Sequence, residues 1–187
     1  KVIYEGASSR VVSCETGPYE LNKRRGFLVV GSFEPRKNYE YIINEYSQLP
    51  INVRLDHHLT LIGAGAWGAP LKSASIENNV AKSTIHVYSD MDDDRLLLAY
   101  RSNLALVFAS VYEGFGLPIV EAMANKTSLL LSDISIFREV AGNAGTFFTV
   151  NQTGQLANCM LEVINNPRLS EDKVAEGSRR MTMFSWK

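Results

Sequence analysis

Leu104-Ala105-Leu106-Val107-Phe108-Ala109-Ser110-Val111-Tyr112-Glu113-Gly114-Phe115-Gly116-Leu117-Pro118-Ile119-Val120-Glu121-Ala122-Met123-Ala124 is the stretch on which the reading of this chain turns. Leu104 to Ala109 is a short, unbroken apolar run, the pattern of a strand buried on both faces. Gly114 and Gly116 then permit a tight loop in which backbone can approach a ligand closely. Pro118 suits the first turn of a helix, where its missing N–H costs little. The sequence predicts a helix opening at Pro118 and running through Ala124, with Glu121 inside about its first turn. The start of such a helix offers unpaired N–H groups and a positive dipole end, an anion site suited to a phosphate.

The same strand–loop–helix order recurs outward from this stretch. Strands are expected at Phe27–Val30, Leu59–Ile62, Ile85–Tyr88, Leu104–Ala109, Leu129–Leu131 and Thr146–Phe148. Between them, Tyr39, Ile42, Ile43, Tyr46 and Leu49 repeat at helical spacing behind Asn38 as N-cap. Further helices are expected at Leu71–Ile76, at Asp92–Arg101 with Asp90 as cap, near Phe137, through Leu156–Ile164, and from about Ser170 to Met183. Six alternations of strand and helix imply βαβ units. The expected fold is α/β: a Rossmann-like, doubly wound, mostly parallel sheet of about six strands with helices on both faces. Residues 1–25 read as a lead-in or linker segment, with Val2-Ile3-Tyr4 as a possible strand and Lys23-Arg24-Arg25 as a solvated basic run. Residues 26–187 read as the domain proper. Ligands of such sheets bind beyond the carboxyl ends of the strands, so residues 31–38, 63–68, 88–94, 109–121 and 131–134 are the places to look.

Composition narrows the function classes. The chain has 187 residues, 45% hydrophobic and 21% charged, which is ordinary for a globular domain and excludes overall disorder. Lys and Arg number 19 against 20 Asp and Glu, so the basic excess of a nucleic-acid binder is missing. The longest near-apolar run, Leu104–Tyr112, is far short of the ~20 residues of a membrane helix. Two cysteines, Cys14 and Cys159, are too few for a disulfide framework or a zinc site, and a reducing, cytoplasmic compartment is expected. The chain lacks an initiator Met and ends while still reading as helix, so a piece of a longer protein is expected.

Glu113 and Glu121, eight residues apart, flank the glycine loop. Carboxylates accept hydrogen bonds from the hydroxyls of sugars and ribose. Arg36 and Lys37, at the carboxyl end of the first regular strand, could neutralise a diphosphate. Cations at a helix start would oppose the dipole, which weakens their reading as plain solvated charge. Gly63-Ala64-Gly65-Ala66-Trp67-Gly68 matches the dinucleotide fingerprint on paper, with Asp90 placed like a ribose-binding acid. It lies on the second strand–helix unit rather than the first, and Trp67 and Pro70 would crowd a pyrophosphate. Consecutive aspartates Asp92, Asp93 and Asp94 complement a helix dipole better than they hold a metal. His57, His58 and His86 lack ligand-like spacing and read as ordinary surface or strand-edge residues.

Glu113-Gly114-Phe115-Gly116-Leu117-Pro118-x-x-Glu121-Ala122-Met123 resembles the E-x7-E motif of the C-terminal, nucleotide-sugar-binding domain of retaining GT-B glycosyltransferases of family four, the group one transferases. Val30-Gly31-x-x-Glu34-Pro35-Arg36-Lys37-Asn38, Leu61-Ile62-Gly63-x-Gly65 and Ser132-Asp133-x-x-x-x-Arg138-Glu139-Val140 match further family positions. The resemblance implies one half of a GT-B fold and transfer of a hexose, with mannose the favoured expectation, from a GDP- or UDP-linked donor. It implies that Lys37, helped by Arg36, meets the donor diphosphate. Glu113 would face the sugar and Glu121 the ribose hydroxyls. Gly31, Ser32, Gly114 and Phe115 would line the donor site, with N–H groups of Gly116, Leu117 and Ile119 near the phosphates and Tyr88 near the base. No cofactor or metal is implied. The expected partners are a nucleotide sugar, a separate N-terminal domain and a carbohydrate or lipid-linked acceptor, with peripheral membrane contact through that domain. Ser32 stands where many members carry arginine, and Asn125-Lys126-Thr127-Ser128 replaces the usual glycine- and proline-containing turn. Two other classes compete: an NAD-dependent oxidoreductase built on Gly63, Gly65, Gly68 and Asp90, and a non-catalytic nucleotide-binding domain.

Overall fold

The central strands of this protein alternate their side chains between two buried faces, and that period of two sets the architecture. Phe27 and Val29 point to one side of the sheet and Leu28 to the other; Ala105 and Val107 are likewise opposed to Leu106 and Phe108. Both faces therefore need a covering layer of helices. The computed structural model describes residues 23–63, 83–89 and 91–184. The strands are β1 (Phe27–Val30), β2 (Leu59–Ile62), β3 (Ile85–Tyr88), β4 (Ala105–Phe108), β5 (Ser128–Ser132) and β6 (Gly145–Phe148). They form one parallel sheet in the order β3-β2-β1-β4-β5-β6, the doubly wound order. Register runs Phe27 against Leu59 on one side of β1 and Phe27 against Ala105 on the other.

The helices are α1 (Tyr39–Ser47), α2 (Ile51–Asp56), α3 (Asp93–Ser102), α4 (Leu117–Ala124), α5 (Ser135–Ala141), α6 (Gln155–Asn165) and α7 (Pro167–Arg180). α1 and α6 cover one face through Tyr39, Ile42, Ile43, Tyr46, Leu156 and Met160. α3, α4 and α5 cover the other through Tyr100, Ile119, Met123, Phe137 and Val140. Each fully buried aliphatic or aromatic side chain contributes about 1.5–3 kcal/mol relative to exposure, so the two cores supply the main driving force. α2 is a finding beyond the sequence expectation. It buries no residue, so no apolar period marked it. The expected helix at Leu71–Ile76 and strand at Val2-Ile3-Tyr4 lie outside the described residues.

Three local expectations are corrected. Asn38 sits before α1, but at φ 58° and ψ 39°, in the left-handed region, and its side chain makes no cap hydrogen bond. α3 is capped by Asp92, whose carboxylate accepts the Arg95 N–H at 2.8 Å. Asp90 lies outside the described residues. Arg24 is no free solvated charge: its guanidinium donates to the carbonyls of Tyr100, Asn125 and Lys126 and to the Thr127 hydroxyl. These carbonyls end α3 and α4, where helices leave acceptors unpaired and carry negative dipole ends. The same clasp holds the Asn125-Lys126-Thr127-Ser128 turn, in which Lys126 takes a left-handed φ of 55°.

α1 and α6 are also locked by a charge. Glu45, 2% exposed, accepts the Gly154 N–H at 2.8 Å and the Ala157 N–H at 3.2 Å. It caps α6 from a different helix, a contact between residues more than a hundred positions apart.

Candidate functional site

The sheet reverses direction between β1 and β4. α1 leaves β1 toward one face and α4 leaves β4 toward the other, so the loops after these neighbouring strands diverge and open a crevice. The candidate residues lie on these two loops.

The chain leaves β1 through Gly31 at φ 139°, whose carbonyl accepts the Tyr39 hydroxyl at 2.6 Å. A Cβ on Gly63 would stand 1.8 Å from that same carbonyl oxygen. Close approach of the β1 and β2 exits therefore explains the first glycine of the dinucleotide-like string. Gly65 and Gly68 lie outside the described residues. Pro35–Lys37 then forms a separate 3-10 turn ending at Asn38. This corrects the expectation that Arg36 and Lys37 open a helix: α1 starts only at Tyr39, so its dipole is not what they oppose.

The exit of β4 is pinned from below. Ser132, at the end of β5, donates its hydroxyl to the Ser110 carbonyl at 2.6 Å. Ser110 in turn donates to Glu113 Oε1 at 2.8 Å. The two loops are stitched by Val111 N–H donating to the Arg36 carbonyl at 2.9 Å. Gly116, at φ 97°, starts α4 at Leu117, with the Ile119 side chain and Phe137 ring 3.1 Å from where a Cβ would be.

On this frame the structure brings together Arg36, Lys37 and Glu113. Lys37 Nζ lies 2.7 Å and Arg36 Nη1 2.6 Å from Glu113 Oε1. The Lys37 and Glu113 side chains are each 9% exposed, whereas Arg36 is 36% exposed. Lys37 also stands 4.6 Å from the centre of the Phe108 ring, a cation–π contact at the end of β4. Glu34 binds the other edge of Arg36 at 2.7 Å and accepts the Ser32 hydroxyl. Burial alone would push the Glu113 carboxyl up, but hydrogen bonds from Lys37, Arg36 and Ser110 outweigh it and hold the group below the usual carboxylate range. The Glu113 hydrogen bond, then that of Glu34, favours the charged form of Arg36. All three donors to Glu113 converge on Oε1; Oε2 accepts none among the described residues.

Glu121 belongs to a second cluster. It is the fifth residue of α4, one residue further along than a helix opening at Pro118 would place it and just past the first turn, because the helix begins at Leu117. The first turn carries no acid, so stabilisation of the dipole does not account for it. Its Oε2 accepts the Tyr100 hydroxyl at 2.7 Å. Burial raises its pKa, with the Tyr100 bond working against that shift and the charge of Asp93 adding to it.

The remaining candidates are placed as follows. Leu117 and Gly114 are exposed, and a Cβ on Gly114 would meet nothing within 4 Å. Phe115 turns inward, edge-on to Phe184 at 6.0 Å. The N–H groups of Gly116 and Leu117 have no partner among the described residues. The Ile119 N–H, by contrast, donates to the Gly116 carbonyl at 2.9 Å, so it is not free for a phosphate. Tyr88 is exposed at the end of β3 and accepts the Gly63 N–H at 2.9 Å. Sequence reasoning missed Glu34, Ser110, Phe108 and Tyr100 as members of these networks; only Ser110, three residues before Glu113, carried a local signal. Of the three histidines, only His57 departs from the surface or strand-edge reading. His57 is buried and accepts the Gly26 N–H at 3.2 Å, while His58 and His86 hydrogen bond to each other at 3.1 Å. Among the described residues no group of His, Cys, Asp and Glu could hold a metal ion. No helix among them is long and apolar enough to cross a membrane. A cavity of about 310 Å³ lined by Arg24, Asp56, His57 and Leu104 lies at the amino ends of the strands, away from the crevice.

The fold that carries these loops is shared with known proteins. The family described as glycosyl transferases group 1 matches residues 18–181. The chain belongs to that family. The group 1 domain is 29% identical over 168 residues to O-antigen chain mannosyltransferase B of Escherichia coli, covering 90% of this chain and 44% of that protein. It is 27% identical to an uncharacterised glycosyltransferase of Methanocaldococcus jannaschii, covering 99% of this chain and 49% of that protein. The chain thus spans about half the length of these relatives. In fold the group 1 domain is similar to WaaG, a glycosyltransferase involved in lipopolysaccharide biosynthesis, with a TM-score of 0.81 at 18% identity, covering 99% of this chain and 53% of that one. It is similar also to Anabaena HepE, solved in complex with UDP, with a TM-score of 0.77 at 19% identity, covering 99% of this chain and 53% of that one.

Proposed function

We propose that this group 1 domain is the donor-binding half of a retaining family four glycosyltransferase. The complete protein would move a hexose, mannose by its relatives, from a GDP- or UDP-linked donor to a carbohydrate or lipid-linked hydroxyl. The observation that carries this reading is the convergence of Lys37, Arg36 and Glu113 in the crevice between β1 and β4. The names of the mannosyltransferase relatives support the sugar.

In the proposed reaction the bond from the anomeric carbon to the diphosphate oxygen breaks and the acceptor oxygen bonds that carbon; the leaving diphosphate gains negative charge as its bond lengthens and takes up the acceptor's hydroxyl proton. Lys37 and Arg36 stabilise that charge, together with the start of α4 and the N–H groups of Gly116 and Leu117. These donors are fixed before reaction, so little reorganisation is needed in the transition state. Glu113, held by Oε1, turns Oε2 to the sugar and supports it electrostatically as oxocarbenium character develops. It is not proposed as a covalent nucleophile. Glu121 accepts hydrogen bonds from the ribose. The charge-stabilising cations make a metal ion unnecessary in this scheme. The acceptor, and the wall that excludes water, would come from a separate domain, and the whole would work at the cytoplasmic face of a membrane.

The test is a thermal-shift panel of nucleotide sugars with titrations of GDP, UDP and NAD. A donor at a hundredfold excess over its Kd stabilises by about 2.7 kcal/mol, a readily visible shift. Binding of NAD without GDP or UDP would overturn the proposal in favour of an oxidoreductase. With the complete enzyme, Glu113→Ala should lower kcat more than it weakens donor binding. An unchanged kcat would leave a non-catalytic nucleotide-binding role.

A further inference from the structure

The Tyr100 hydroxyl belongs to neither core in chemical terms. The residue is 0% exposed and its ring packs among the apolar side chains of the second core. A phenol so placed needs a partner for its O–H. It finds one in Glu121 Oε2, at 2.7 Å, across the α3–α4 contact. The other end of Tyr100 is fastened as well: its carbonyl accepts the Thr127 hydroxyl at 2.7 Å and the Arg24 guanidinium at 3.3 Å. The tyrosine is thus a fixed post with a single proton to give. Glu121 is a long, flexible acid in the second turn of α4, where the dipole gives it no role. One of its oxygens is tied to the post, and Oε1 accepts no hydrogen bond among the described residues.

We propose that Tyr100 is a positioning residue for Glu121: by holding Oε2 it presents Oε1 to the vicinal hydroxyls of the ribose of a nucleoside diphosphate. This rests on the reading of Glu121 as the ribose ligand. A carboxylate fixed in advance loses less rotational freedom on binding. A carboxylate has lone pairs for the tyrosine and for ribose hydroxyls at once, so the two roles do not compete. Tyr100 also acts on the charge of Glu121, because its hydrogen bond favours the ionised form that burial and Asp93 oppose. Phenylalanine at position 100 would fill the same space and remove only the donor.

Calorimetric titrations with GDP and UDP, and with their 2′-deoxy and 3′-deoxy forms, test this on the wild type, Tyr100→Phe, Glu121→Ala and the double variant. Tyr100→Phe should weaken the ribonucleotides by about three- to tenfold, the range of one hydrogen bond. It should change the deoxy forms by less than about twofold. The pH at which ribonucleotide affinity falls on acidification should move upward, since the bond that lowers the Glu121 pKa is gone. In the Glu121→Ala background the phenylalanine should add less than about twofold, because its effect runs through the missing acid. An equal loss for ribo and deoxy ligands, or an additive loss in the double variant, overturns the proposal and leaves Tyr100 a packing residue. Weakened binding by Glu121→Ala with none by Tyr100→Phe also overturns it, while the ribose reading survives. Unchanged binding by Glu121→Ala overturns the ribose reading itself and this proposal with it.

Discussion

Replacing Glu113 by glutamine keeps the shape of the side chain and removes its charge, which isolates what the carboxylate does for the fold. Lys37 and Glu113 are each 9% exposed and 2.7 Å apart, so the pair is desolvated. Breaking a buried ion pair by neutralising one partner costs about 3–5 kcal/mol, because the other charge stays buried without compensation. The Arg36 contact adds little, since 36% of that side chain meets water and exposed pairs contribute about 0–1 kcal/mol. Glutamine retains a carbonyl acceptor for Ser110 and Lys37, which places the expected loss near the lower bound, about 3 kcal/mol. For a chain of this size that is a drop in Tm of about 6–12 °C. The loss must depend on pH. The folded-state pKa of Glu113 lies below its unfolded value, so its contribution is present above the ordinary carboxylate range and disappears as pH falls through the folded value. Urea unfolding of Glu113→Gln and wild type at pH 7 and at stepwise lower pH measures both effects. The two proteins should differ most near neutrality and converge in acid. A nucleoside diphosphate should restore part of the loss, since it brings anionic charge to the same cations. A difference below 1 kcal/mol at pH 7, or one independent of pH, would refute the claim that Glu113 is the counter-charge of a buried lysine.

Lys37→Ala and Arg36→Ala should weaken nucleoside diphosphates far more than the corresponding nucleosides in paired titrations; an equal loss for both ligands counts against a phosphate role. Glu45→Ala should destabilise by about 2–3 kcal/mol in chemical denaturation, the sum of a lost cap and a newly unpaired buried N–H, although Glu45 lies outside the crevice. An effect under 0.5 kcal/mol would show that solvent replaces the cap at no cost. Burial, against the pull of Asp56, keeps the His57 pKa below its ordinary value, so below about pH 6.5 the unfolded chain takes up protons that the folded one refuses. Stability should therefore fall from pH 7.5 to 5.5, and His57→Asn should show a smaller fall over the same range; equal falls would mean that other groups set the acid sensitivity.

The strands were legible in the sequence because each is a short, mostly apolar run bounded by glycine or polar turns; burial on both faces requires that pattern of the central strands, while edge strand β3 leaves Val87 and Tyr88 exposed. Phe27–Val30, Leu59–Ile62 and Ile85–Tyr88 coincide with the observed strands to the residue. The loops to search followed from the parallel sheet, and Lys37, Arg36 and Glu113 stood out by chemistry. Tertiary structure alone decided which of these side chains meet. Glu113 is 76 positions from Lys37, and only the adjacency of β1 and β4 brings them within 2.7 Å. The same holds for Tyr100 with Glu121, Arg24 with the ends of α3 and α4, and Glu45 with α6, each joined by hydrogen bonds across elements. Local sequence carries periodicity and turn chemistry because these depend on nearest neighbours along the chain. The partner of a buried charge or phenol depends on which strands lie side by side, and that is settled only when both faces of the sheet are covered at once.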